Sequence, residues 1–139
     1  MSRLPTFFLS HGGGPWPWVD GMKDLFTRSA QAFAAIPGTL PEAPKAVLMI
    51  TGHWEAPGFA VSTGEHPPMD YDYSGFPPHT YTLQYPAPGD PALAARVMAL
   101  MQAQGLPCTG DPTRGYDHGT FVPLHFMFPQ ANVPVVLLS

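Results

Sequence analysis

Apolar residues in this chain gather in short unbroken runs rather than in alternating patterns. "TFFL" (6–9), "AVLMI" (46–50) and "VVLL" (135–138) are the clearest. Such runs predict strands covered on both faces, as in a parallel sheet. "FAVST" (59–63) predicts a further strand. Between the runs, apolar positions recur at helical spacing. Met22, Leu25, Phe26, Ala30 and Phe33 predict a helix over 21–35, capped by Asp20. "DPALAARVMALMQAQG" predicts a second, with Asp90 as cap, Pro91 at the first position and Gly105 at the end. Its expected buried stripe is Leu93, Val97, Leu100 and Met101. A short helix is expected over 121–128, followed by the last strand from Val135. Strands alternating with helices predict an α/β fold: a mostly parallel central sheet flanked by helices.

The connections carry most of the unusual composition. Residues 65–89, "EHPPMDYDYSGFPPHTYTLQYPAPG", form a long irregular segment whose aromatics predict order, and residues 110–119 form a loop carrying "RGYDHG". There is no repeat and no interdomain linker, so residues 1–139 read as one domain. The sequence stops at Ser139, directly after an apolar strand. In parallel sheets a strand feeds a loop and a covering helix, so the pattern predicts a domain incomplete at its C-terminus, the N-terminal part of a larger one.

Charge and cysteine content narrow the function classes. Charged residues make up 12% of the 139, against ~25% in ordinary domains. That fits extensive burial, or a surface covered by a partner such as another copy of the chain. The net charge of -4 supplies no basic face for nucleic acid. Cys108 is the only cysteine, which excludes an internal disulfide and fits a reducing cytoplasm. The N-terminus is not a signal peptide, and no apolar run approaches the ~18 residues of a membrane span.

Two predicted strand ends look alike. "FFLSH" and "LMITGHW" each lead from apolar residues through small ones to a histidine, His11 and His53. Ligands of open parallel sheets bind beyond the carboxyl ends of strands, and imidazole is the commonest metal ligand side chain. The two histidines therefore read as half of a metal site. His118, between Asp117 and Gly119, is open to a third-ligand or an acid/base role; the plainer reading is a helix-capping loop with Asp117 as cap. His66 is expected to face solvent, His79 either solvent or a pocket, and His125 to pack against the short helix. The "HGGG" strip (11–14) has rival readings. A phosphate cradle lacks its Lys and is followed by Pro15 and Pro17. An esterase oxyanion strip needs a nucleophile elbow, and the nearest match, "AVSTG" (60–64), lacks the first glycine.

In order, "FFLSHGGG", "ITGHW", "YDYSGFPPHTY", "QYPAPGDPALA", "RGYDHGTFVPL" and "VPVVLLS" resemble the class III extradiol ring-cleavage dioxygenases of the LigB-like superfamily. The resemblance is nearest to the subgroup containing DOPA 4,5-dioxygenases and covers nearly the whole chain. It implies a non-haem metal enzyme that opens a catechol-type ring with O2, usually with Fe(II), although some members are found with Zn(II). It implies His11 and His53 as metal ligands and His118 as the substrate-binding or acid/base histidine. Gly12, Gly13, Trp54, Phe76 and Asp117 are the candidate substrate contacts, with Trp16, Trp18 and Tyr71 as further candidate pocket walls. A further metal-ligating histidine of the family lies in a Pro-Glu-His-like segment of the second half, which these residues do not supply. A non-catalytic metal-binding or scaffold homologue is the alternative, and the esterase a more distant one.

Overall fold

The computed structural model describes residues 3–139. Its regular elements are α1 (Met22–Leu25), α2 (Thr27–Ala35), β1 (Val47–Ile50), β2 (Phe59–Ser62), α3 (Pro91–Ala103), β3 (Cys108–Asp111), α4 (His118–Met127) and β4 (Val135–Leu138). Short 3-10 turns occupy Trp16–Trp18, Ile36–Thr39 and Pro78–Thr82. The strands form one sheet in the order β1-β4-β2-β3. β1 pairs with β4 and β2 with β3 in parallel, and the two pairs join through an antiparallel contact of Val61 with Leu138. The fold is α/β with a mostly parallel sheet, as expected, and has one reversed joint.

Alternate residues of β4 explain the two-layer core. Val135 and Leu137 join Phe121, Val122 and Leu124 of α4 and Phe33 of α2 on one face. Val136 faces the other way, with Val61 of β2 and with Ala94 and Val97 of α3. This is why "VVLL" lacks alternation: both of its faces are covered. β1 differs. Val47 and Met49 pack on the first layer, but α3 lies over β2, β3 and β4. Leu48 and Ile50 are left 45% and 68% exposed. For β1 the expected cover on both faces is therefore missing on one.

Several sequence expectations need correction. Residues 6–9 form no strand; Phe8 is fully exposed and only Leu9 packs on the core. With no neighbouring backbone paired to it, an apolar run alone does not make a strand. The helix expected over 21–35 breaks at Phe26, whose φ of -110° and ψ of 17° leave the helical region. The phase shift leaves Leu25 78% exposed while Phe26, Ala30 and Phe33 stay with the core. Asp20 does not cap it: left-handed Gly21 precedes α1, and Asp20 pairs with Lys23 instead. Leu100 falls outside the buried stripe of α3, whose innermost residues are Ala94 and Val97. β3 is an addition to the expected strands, since "CTGD" carries little strand signal and forms by pairing with β2. α4 starts three residues before the expected position because Asp117 caps it.

The cap of α3 is as expected: the Asp90 carboxylate accepts the Leu93 N–H at 2.9 Å, with Pro91 next. Asp90→Ala is expected to lower stability by about 1 kcal/mol. A urea unfolding curve measures this as a lower midpoint with an unchanged slope.

Candidate metal centre

Three separate segments converge on one point. His11 comes from the irregular N-terminal segment, His53 from the turn after β1, and His118 from the first residue of α4. One nitrogen from each ring lies within 4.8 Å of the other two. His11 Nε2 and His53 Nε2 are 3.0 Å apart. Ring centroids are 5.0 Å apart for His11 with His53 and with His118, and 4.2 Å for His53 with His118. His11 and His53, each expected at the end of a strand, lie together although His11 follows no strand, and His118 joins them.

Each histidine is placed by its own local device. The His11 carbonyl accepts the indole N–H of the buried Trp16 at 2.7 Å. Thr51, at the end of β1, accepts the His53 backbone N–H at 3.2 Å. The same hydroxyl donates to the Asp117 carboxylate, 3.0 Å from each oxygen. Asp117 in turn caps α4 by accepting the Thr120 N–H at 3.0 Å, and it pairs with Arg114. Arg114 also bonds Asp70 at 2.9 Å and lies over the Trp54 ring, 5.0 Å from its centroid. One buried network thus ties the β1 turn to the start of α4 and fixes the spacing of His53 and His118.

The glycine beside His118 is a steric requirement. A Cβ at Gly119 would stand 2.8 Å from the His53 ring and 3.3 Å from His11 Nε2. Gly119→Ala is expected to gain helix propensity, by about 1 kcal/mol. It should also push the rings apart and weaken divalent metal binding roughly tenfold. Thermal melts and Zn(II) titration on the same sample separate the two effects.

Burial at the site favours a neutral His11. Burial, then His118 and His53, push the His11 pKa below the usual 6.5, so its lone pair is free at neutral pH. Two neutral Nε2 lone pairs 3.0 Å apart repel unless a proton or a cation lies between them. A three-imidazole set with one exposed member suits a divalent transition metal with open positions. The donor set therefore fits the expected metal. Asp72, which lies in the "YDYSGFPPHTY" motif but is not among the expected site residues, supports the cluster. Its carboxylate lies 2.9 Å from His118 Nδ1 through both oxygens and 3.6 Å from His53 Nδ1. Burial pushes the Asp72 pKa up, but the bonds from His118 outweigh it and hold the group below its usual range.

The other candidates divide. Trp54 is half-buried against Arg114, and Phe76 packs edge-on to Tyr73, 5.4 Å between centroids. Gly13 is open: a Cβ there would meet nothing within 4 Å. Gly12 and Gly14 are explained by packing: both have positive φ, and a Cβ would strike Trp16 and Phe76 respectively. Asp117 is the correction. It is fully buried, and Thr51, Thr120 and Arg114 occupy its oxygens, so it supports the site without a face for substrate. Trp16 is core rather than pocket wall. His66 is exposed, His79 bonds the Trp18 carbonyl at 2.8 Å, and His125 packs on Trp18. Ser62, in the nearest elbow match, is buried in β2 and accepts the Leu137 N–H, which removes it as an esterase nucleophile. No helix among the described residues is long and apolar enough to cross a membrane.

A family model described as the catalytic LigB subunit of aromatic ring-opening dioxygenase matches residues 5–139. The chain is 40% identical to the dioxygenase tasH of Hapsidospora irregularis, over all of this chain and 44% of that protein. It is 40% identical to a 4,5-DOPA dioxygenase extradiol of Escherichia coli K12, over 99% of this chain and 48% of that one. The corresponding protein of Portulaca grandiflora is 38% identical over all of this chain and 50% of its own length. A crystal structure of an uncharacterized protein from Escherichia coli K12 matches with a TM-score of 0.62 and 34% identity, over 80% of this chain and 39% of that chain. The chain thus spans about half the length of the relatives it matches.

Proposed function

The chain belongs to the LigB family of aromatic ring-opening dioxygenases, and from that premise we propose that His11 and His53 form the metal-holding part of a non-haem extradiol dioxygenase centre, with His118 as its acid/base. The observation that carries the reading is the convergence of His11, His53 and His118 within 4.8 Å. His11 and His53 hold the ion through the Nε2 atoms that face each other. The substrate is a catechol-type aromatic diol and the co-substrate O2. Fe(II) is the proposed native ion, and when bound it would supply positive charge that favours the ionised diol and a redox path to O2, which Zn(II) in the same place cannot.

The chain's own residues do the rest. His118 takes a proton from the diol and returns one later, because its Nδ1 is engaged by Asp72, which leaves Nε2 as the nitrogen for proton transfer. Gly13 leaves a face without side chains beside His11, where a flat ring can approach. Trp54 and Phe76 are the proposed aromatic contacts of that ring. Arg114 and Asp117 hold the two halves of the site in register from below.

The test is anaerobic loading of the full chain with Fe(II), then a catechol such as DOPA or protocatechuate, then O2. A yellow ring-opened product is the expected result, and its absence with every diol tried counts against catalysis by this chain. His118→Ala is expected to retain metal while losing turnover by about 100-fold or more. Normal turnover in that variant would refute its acid/base role, and loss of the metal would make His118 a ligand instead.

A further inference from the structure

We propose that Asp72 is a positioning residue that sets the tautomer of His118 and steadies His53, so that both rings present unprotonated Nε2 atoms to the centre. The proposal rests on the metal-centre reading above and adds a residue to it. Three contacts carry it. Asp72 Oδ1 accepts the His118 backbone N–H at 3.0 Å. Both carboxylate oxygens lie 2.9 Å from His118 Nδ1. Oδ2 lies 3.6 Å from His53 Nδ1. An ionised carboxylate only accepts, so the proton of His118 belongs on Nδ1 and the lone pair on Nε2. The weaker approach to His53 favours the same arrangement there.

The surroundings leave Asp72 little freedom. Its side chain is only 16% exposed. The flanking tyrosines are tied back into the same segment, Tyr71 to the Leu83 carbonyl and Tyr73 to the Thr80 carbonyl, each at 2.6 Å. On the α4 side, Tyr73 stands edge-on to His118, 6.0 Å between centroids. The aromatic loop over 65–89 is therefore an arm, tied at Tyr71 and Tyr73, that delivers one carboxylate to two imidazoles. A carboxylate behind a ligating or proton-transferring histidine fixes ring orientation and raises basicity. Asp70, two residues away in the same arm, serves Arg114 instead and touches none of the three histidines among its hydrogen bonds.

A plainer role is a staple that joins the loop to the start of α4 through the His118 backbone. Asp72→Asn separates the two roles. The asparagine oxygen can still accept the backbone N–H, while its amide group places donors where His118 Nδ1–H and His53 Nδ1–H now point. The first measurement needs no variant: nitrogen-15 NMR of the histidine rings in the full metal-free chain. His118 in the Nδ1–H form is expected, and His118 in the Nε2–H form overturns the proposal. The second is Zn(II) titration with a competing chelator. Asp72→Asn is expected to weaken Zn(II) binding roughly tenfold or more. Asp72→Glu should recover part of it, and Asp20→Asn, at a surface carboxylate paired with Lys23, should leave it unchanged. Unchanged Zn(II) affinity together with an unchanged His118 tautomer in Asp72→Asn also overturns the proposal. The metal reading fails separately, if the wild-type chain takes up no Zn(II) or Fe(II); the ring tautomer still decides the role of Asp72 in that case.

Discussion

His11→Ala is expected to remove stoichiometric binding of a divalent metal. Loss of a supporting residue costs roughly 10–100-fold in metal affinity, and loss of a direct ligand costs more. The variant should fold, for three reasons. His11 Nδ1 is buried and has no hydrogen-bond partner among the described residues, so no network there depends on it. The Trp16 indole bonds the His11 backbone carbonyl, which alanine retains. Burial, then the neighbouring His118 and His53, already disfavour charge on His11, so its removal takes no charge from the cluster. Metal analysis after Zn(II) loading, beside a circular dichroism spectrum, checks both points. Wild-type metal content in the variant would exclude His11 as a ligand. The same substitution at His53 should act alike, since His53 Nε2 faces His11 Nε2 at 3.0 Å.

The second large effect is on stability. Asp117→Ala is expected to destabilise the protein by about 3–5 kcal/mol, the cost of removing one partner of a buried ion pair. Loss of the α4 cap contributes within that range. The carboxylate is fully buried and serves Thr51, Thr120 and Arg114 together. Without it, among the described residues, Arg114 keeps only Asp70 as a carboxylate partner, and its Nε has no hydrogen-bond partner. Small domains are held by only about 5–15 kcal/mol, so such a loss consumes a large part of the total. Urea unfolding is the measurement, and a change below about 1 kcal/mol would show that the network carries little of the stability. Asp117→Asn should be milder, because the amide oxygen still caps the Thr120 N–H.

How far the sequence foretells this structure depends on whether the cause is local. The α3 helix is written in its own residues: Asp90 caps, Pro91 starts, and Gly105 follows with a φ of 72°. β4 is equally plain, since a run without polar residues suits only a strand covered on both faces. "TFFL" has the same pattern and forms no strand, because pairing is a property of two segments and the run specifies only one. β3 shows the converse: weak local signal, yet a strand because β2 lies beside it.

The site divides in the same way. His53 is legible because it follows the apolar run of β1, and the mouth of a parallel sheet is where ligands bind; His11 follows a like run that forms no strand. His118 is legible through its capping loop. By itself, then, the sequence determined the α/β class, the α3 helix and its cap, the family, and three histidines as candidates for one centre. Tertiary structure alone decided that those three rings meet within 4.8 Å. It also decided that Asp117 is buried support and that Asp72 stands behind His118. The physical reason is separation along the chain. Asp72 lies 46 residues from His118, and Thr51 lies 66 from Asp117. A carboxylate's role is set by the donors that reach it, and spacing along a sequence does not record donors that arrive from elsewhere in the fold.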